Sequence, residues 1–174
     1  MSSKINFNTN TENEEEWLTP PELVAALGPF DLDPCAQPKC RRVFDTAKIH
    51  YSREEHGDGL TLPWDGRVWL NPPYGRETFK WLKKLSEHKS GIALIFARTE
   101  TKGFHAEIWD KAHSIFFFEG RLKFGRKDGT FKDVANAPSC LVAYSKIDSV
   151  KIHLASIAGN ITGKLIYCNQ CDQS

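Results

Sequence analysis

Val68-Trp69-Leu70 is an apolar triplet that runs straight into Asn71-Pro72-Pro73-Tyr74-Gly75. The two prolines carry no amide hydrogen for a ladder, so a central strand has to end there and present the residues that follow. An uninterrupted apolar run suits a strand buried on both faces, inside a sheet covered by helices. Other stretches read the same way. Phe30-Asp31-Leu32-Asp33 is a short strand ending at Pro34, and Ile92 to Phe96, Ile115 to Phe118 and Cys140 to Tyr144 are further strands. Helical spacing lies between them, in Phe79, Leu82 and Leu85 with Trp81 alongside, and in Phe104, Ile108, Trp109 and Ala112. Thr19-Pro20-Pro21-Glu22 has the form of a helix start, with Thr19 as cap and Glu22 completing a capping box. Leu23, Val24 and Leu27 give that helix its apolar face, and Gly28-Pro29 stops it. Residues 37 to 57 give no clear assignment, while Val150 to Ile157 and Lys164 to Tyr167 read as strand or helix.

This alternation predicts an α/β domain with a mostly parallel sheet flanked by helices. It is expected over residues 17–174, after a flexible acidic tail at 1–16 that carries the run Glu14 to Glu16. In open sheets of this kind, ligands bind beyond the carboxyl ends of the strands. Asp33-Pro34 and Asn71 to Tyr74 are both expected at such ends, facing one crevice.

No apolar run is long enough to span a bilayer, and the N-terminus has no apolar leader, so a soluble intracellular protein is expected. The 23 basic and 22 acidic side chains nearly cancel. A nucleic-acid partner would therefore be held by a local patch. Two places offer one. The segment from Arg121 to Pro138 carries five basic residues between Arg121 and Lys132, namely Arg121, Lys123, Arg126, Lys127 and Lys132, against one acid in that stretch, Asp128, and is expected to link two strands at the sheet's edge. It reaches the crevice side if the strand before it runs parallel to the Asn71 strand, as the intervening helix predicts. Arg98 to Lys102 is the alternative, and a solvated loop is the plain one. Cys168 and Cys171 form a lone CxxC, and the histidines are scattered without ligand spacing, so no metal site is expected.

Asn71-Pro72-Pro73-Tyr74 carries the chemistry. An exocyclic adenine amine is a poor nucleophile because its lone pair is delocalised into the ring. Methylating it calls for two acceptors aimed at its two N–H bonds. The Asn71 side-chain oxygen and the Pro72 carbonyl, held by a proline-restricted backbone, supply them. Tyr74 offers a flat ring for a base taken out of the stack. The electrophile would be the sulfonium methyl of S-adenosylmethionine, with the protein positioning the two reactants. A proline turn that merely ends a strand is the plain alternative.

In order, Trp17-Leu18-Thr19-Pro20, Asp31 to Ala36, Asp58-Gly59-Leu60 followed by Trp64, Val68 to Gly75, Ala93 to Phe104, Phe118 to Phe124 and Pro138 to Tyr144 resemble the phage Dam-type DNA N6-adenine methyltransferases. The resemblance implies a single-domain Rossmann-like methyltransferase fold, S-adenosylmethionine as cofactor, DNA as partner, and a bacterial or phage-infected cytoplasm as location. It also implies that Asn71, Pro72, Pro73 and Tyr74 activate the amine and that Asp33 and Pro34 line the cofactor pocket. Asp58, Gly59 and Leu60 would border the cofactor's adenine, with Thr19 near its methionine end. Gln37-Pro38-Lys39 stands where many methyltransferases have a Gly-rich turn, a loss that looks typical of this group. Methylation of an RNA adenine or a protein glutamine, and a non-catalytic cofactor- or DNA-binding role, are the competing readings.

Overall fold

The computed structural model describes residues 19–125, 133–135 and 137–168. Seven strands form one sheet: β1 (Leu32–Asp33), β2 (Ile49–His50), β3 (Val68–Leu70), β4 (Gly91–Phe96), β5 (Ser114–Phe118), β8 (Ser139–Ala143) and β9 (Gly163–Tyr167). Their spatial order is β2-β1-β3-β4-β8-β5-β9, and β6 (Lys123–Phe124) pairs with β7 (Asp133–Val134) in a separate ribbon. The helices are α1 (Pro21–Leu27), α2 (Arg53–His56), α3 (Thr78–His88), α4 (Lys102–Phe104), which continues as a π-helical turn (His105–Trp109), and α5 (Lys146–Ile157). Among the described residues no helix is long and apolar enough to cross a membrane. The expected acidic tail, Trp17-Leu18, Arg126 to Lys132 and Cys171 lie outside the described residues.

The α/β expectation holds, with a mixed sheet. Pairing is parallel from β2 through β1 and β3 to β4, and antiparallel from β4 through β8 and β5 to β9. Strands β1 to β5 therefore share one direction, and β8 and β9 oppose it. Antiparallel neighbours need no crossover helix, so the chain returns from β5 to β8 through the 119–138 segment alone. The sequence reading puts that segment at the sheet's edge. It joins two interior neighbours instead, because β9 adds outside β5 and becomes the edge.

The period of two along each strand builds two cores. Trp69, Ile92, Leu94, Phe116 and Leu141 face α1 and α5, where Leu23, Val24, Leu27 and Ile152 meet them. Val68, Leu70, Ala93, Ile95 and Val142 face the other way, onto Leu82 and Leu85 of α3 and onto Phe104 and Ile108. This alternation is the pleat itself. The helix expected from Phe104 to Ala112 is shorter and wider than its spacing suggests, since most of it is the π-helical turn.

The amino edge of the sheet is closed by one buried ion pair. Arg67, just before β3, donates from Nε to Asp148 Oδ1 at 2.6 Å and from Nη1 to the carbonyls of Leu27 and Pro29 at 2.7 and 2.9 Å. Its guanidinium lies 4.3 Å from the centre of the Phe30 ring. Asp148, in the first turn of α5, also accepts from the backbone N of Gly91 at 2.8 Å and from Ser145 Oγ at 2.5 Å. Gly91 is in the left-handed half of backbone space at φ 143°, and a Cβ there would meet the Val68 carbonyl oxygen at 2.3 Å.

Removing one member of a buried pair strands the other charge, which typically costs about 3–5 kcal/mol. Asp148→Ala is therefore expected to lower stability by about that amount, read as a lower denaturant midpoint at unchanged slope. A loss below about 1 kcal/mol, the range of exposed pairs, would show that α5 is held by its apolar face alone.

Candidate active site

Strands β1 and β3 are parallel neighbours, with Leu32 opposite Val68, so Asp33 and Asn71 emerge side by side at the carboxyl edge. Between them opens a cleft lined in part by Thr19, Asp33, Arg42, Thr46, Trp69 and Asn71. Three residues singled out from the sequence thus meet in one cavity, although they are far apart along the chain.

Thr19 does not cap α1. The helix has Pro20 at its N-cap position with no side-chain bond, and Pro21 opens its first turn. The Thr19 hydroxyl is turned instead to the site, where it accepts from Asn71 Nδ2 at 3.2 Å. That bond, together with one from Tyr74 Oη to Asn71 Oδ1 at 3.3 Å, holds the amide at both ends. The Pro73 carbonyl accepts from Thr78 Oγ1 at 2.8 Å, which anchors the turn to the start of α3. Pro72 is buried, and its carbonyl accepts no hydrogen bond among the described residues.

Tyr74 lies flat on Phe96, the last residue of β4, with ring centres 4.1 Å apart and planes 18° from parallel. One face of the tyrosine is thus occupied and backed by the sheet. Burial raises the Tyr74 phenol above its ordinary pKa, so it stays a neutral donor. From the sequence Phe96 reads only as core, being the end of an apolar run.

Asp33 is buried. Its Oδ1 accepts from the Cys35 backbone N at 3.0 Å and its Oδ2 from Thr46 Oγ1 at 2.5 Å. Burial pushes its pKa from 3.8 up to about 6, while those two bonds and, more weakly, the charge of Arg42 pull the other way. No cation forms a salt bridge with it among the described residues. A buried carboxylate so placed favours a cationic ligand.

The Asp58–Leu60 turn sits beside this cleft and does not line it. Asp58 Oδ1 accepts from Leu60 N at 2.9 Å, and Gly59 packs so tightly that a Cβ would come within 2.2 Å of the Pro34 carbonyl oxygen. Lys84 of α3 locks the turn by donating to the carbonyls of Leu60 and Leu62 at 2.7 and 2.5 Å, over the Trp64 ring. Pro34 is buried with its carbonyl oxygen against Gly59, and it does not line the cleft.

Arg98 follows β4 and Arg121 follows β5, and both lie exposed at the same carboxyl edge. The pairings make β5 parallel to β3, as the intervening helix predicts. Arg121 donates from Nη1 to the Ala135 carbonyl at 2.9 Å and so braces the ribbon that carries Lys123.

A family profile described as DNA N-6-adenine-methyltransferase (Dam) matches residues 6–160. The DNA N-6-adenine-methyltransferase of Escherichia phage T1 is 28% identical over 133 residues, which cover 70% of this chain and 53% of that protein. The chain thus spans about half the length of that curated relative. No solved structure matches.

The raised pKa of Asp33 has a signed consequence for stability. The folded state holds this proton more tightly than the unfolded chain, so the contribution is present below about pH 3.8 and lost as pH rises through about 6. Asp33→Asn is therefore expected to exceed the wild type in stability above about pH 6, with the gap closing towards pH 4. Unfolding midpoints measured across that range without added ligand test this, and a gap independent of pH would overturn it.

Proposed function

The chain belongs to the DNA N-6-adenine-methyltransferase (Dam) family, and on that premise we propose that it transfers a methyl group from S-adenosylmethionine to the N6 amine of adenine in DNA. The observation that carries this reading is the pairing of an oriented Asn71 amide with a buried, cation-seeking Asp33 in one cleft. The mixed sheet, with both groups at carboxyl ends of parallel neighbours, is what a Rossmann-like methyltransferase domain requires.

Asn71 Oδ1 and the Pro72 carbonyl accept the two amine hydrogens, which draws the nitrogen's lone pair out of conjugation. Tyr74 stacks the extruded base on the face that Phe96 leaves open, and the hydroxyl of Tyr74 keeps Asn71 from rotating. Thr19 orients the same amide from its other end. S-adenosylmethionine, when bound, supplies a methyl already activated by its sulfonium charge, so no metal or nucleophilic side chain is needed. Asp33, buried in the cleft without a salt-bridge partner among the described residues, suits its positive charge. The Asp58–Leu60 turn, held behind Pro34, borders the adenine end. Arg98, Arg121 and Lys123 hold DNA phosphates along the same rim, and Arg126 and Lys127, outside the described residues, are assigned to DNA from the sequence. The setting is the cytoplasm of a bacterial or phage-infected cell.

Methyl transfer from labelled cofactor to DNA, to RNA and to protein tests the substrate class, with label expected at adenine N6 of DNA. Asn71→Ala should leave less than about a tenth of the turnover while cofactor affinity is retained. Retained turnover would remove Asn71 from the amine. Tyr74→Ala should cost about 1–3 kcal/mol in productive DNA binding, and Tyr74→Phe distinctly less. Neutralising Arg121, Lys123, Arg126 and Lys127 together should lower the slope of log affinity against log salt by about 0.9 for each phosphate that the protein no longer neutralises. An unchanged slope would assign DNA binding to the Arg98–Lys102 stretch.

A further inference from the structure

Arg42 reaches the cleft from the 35–46 loop, the stretch that stands where other methyltransferases have a Gly-rich turn. Its side chain is only 17% exposed, which is unusual for an arginine outside a paired or ligand-binding position. Nε donates to Asp45 Oδ1 at 2.9 Å, and Asp45 itself is 73% exposed. The Nη1 and Nη2 groups have no partner among the described residues. Arg42 is close enough to Asp33 for its charge to act on that carboxyl, and close enough to His50 to lower the imidazole's pKa, second to the effect of burial. The cleft therefore holds one sheltered carboxylate and one sheltered guanidinium, each with capacity left over.

That charge pattern selects among ligands. A phosphate would be attracted by Arg42 and repelled by Asp33, and a neutral nucleoside would leave Asp33 without a cation and the Nη groups of Arg42 without an anion. An α-amino acid zwitterion answers both, its ammonium at the carboxylate and its carboxylate at the guanidinium. The planar fork of arginine matches a carboxylate bidentately. Resting on the proposed use of S-adenosylmethionine, we infer that Arg42 anchors the carboxylate of the cofactor's amino-acid end. Pinned there by a fork on one side and by Asp33 on the other, the cofactor needs no glycine turn to hold its methionine part.

Calorimetry on the full chain tests this with two probes that differ in one group, S-adenosylhomocysteine and its decarboxylated counterpart, S-adenosyl-3-thiopropylamine. The wild type should prefer the carboxylate form. Arg42→Gln should bind S-adenosylhomocysteine about ten- to a hundredfold more weakly, the range of a charged hydrogen bond, and bind the decarboxylated probe within about twofold of wild type. Arg42→Lys should recover part of the preference. Equal weakening towards both probes would mean that Arg42 only shapes the cleft, and unchanged affinity for both would mean that it does not touch the cofactor. Unchanged cofactor affinity with weakened DNA binding would make it a phosphate ligand. Each of these three results overturns the assignment. A wild type that binds neither probe would overturn the proposed cofactor as well, and so is distinguishable from a failure at Arg42 alone.

Discussion

Asp148 and Arg67 are where four separate pieces of chain are tied together. The arginine brings the end of α1 and the entry to β3, and the aspartate brings the start of α5 and the first amide of β4. A buried pair of charges contributes little net stability against an apolar replacement, because both ions must be desolvated. Its effect is on register. With Gly91 pinned opposite Val68, β3 and β4 run in step as far as Leu70 and Ala93, where the prolines stop β3 and β4 continues to Phe96. The longer strand leaves a ledge. The Asn71–Tyr74 turn folds onto that ledge, and Tyr74 finds Phe96 beneath it. A contact at one edge of the sheet thus decides what lies under the reactive turn at the other.

Much of this arrangement is legible in the chain because burial leaves a local mark. Val68 to Leu70, Ile92 to Phe96 and Ile115 to Phe118 are apolar without a gap, and each is an interior strand. Direction leaves no such mark, since an apolar run reads alike in a parallel and an antiparallel strand. The insertion of β8 between β4 and β5 is therefore invisible in the sequence, as is the edge position of β9. Side-chain bonds across long sequence distances are equally silent. Thr19 has every local feature of a helix cap, and its hydroxyl is taken by Asn71, 52 positions away. Thr46 and Arg42 lie in a stretch without periodicity, so nothing marks them as neighbours of Asp33.

The charges explain how so balanced a chain presents two different surfaces. In the cleft, Asp33 and Arg42 are sheltered and of opposite sign, so each demands a specific answering group. On the rim, Arg121 and its neighbours along the same edge are open to water and salt, which screen them, so that only their number and spacing matter. Selectivity for a small ligand and tolerance towards a polyanion therefore arise a short distance apart, from the difference in solvent access alone.

The antiparallel placement of β8 beside β5 has one more effect. Because the two strands are neighbours running in opposite directions, the chain between them leaves and re-enters the sheet at the same rim. Its length is uncoupled from the strand register, and closing a longer loop adds little, on the order of 0.6 kcal/mol per doubling. The segment behaves as an interchangeable fitting on a fixed chassis. Residues added to it, removed from it or exchanged within it can alter what the rim touches while the cleft, the ledge and the reactive turn keep their geometry.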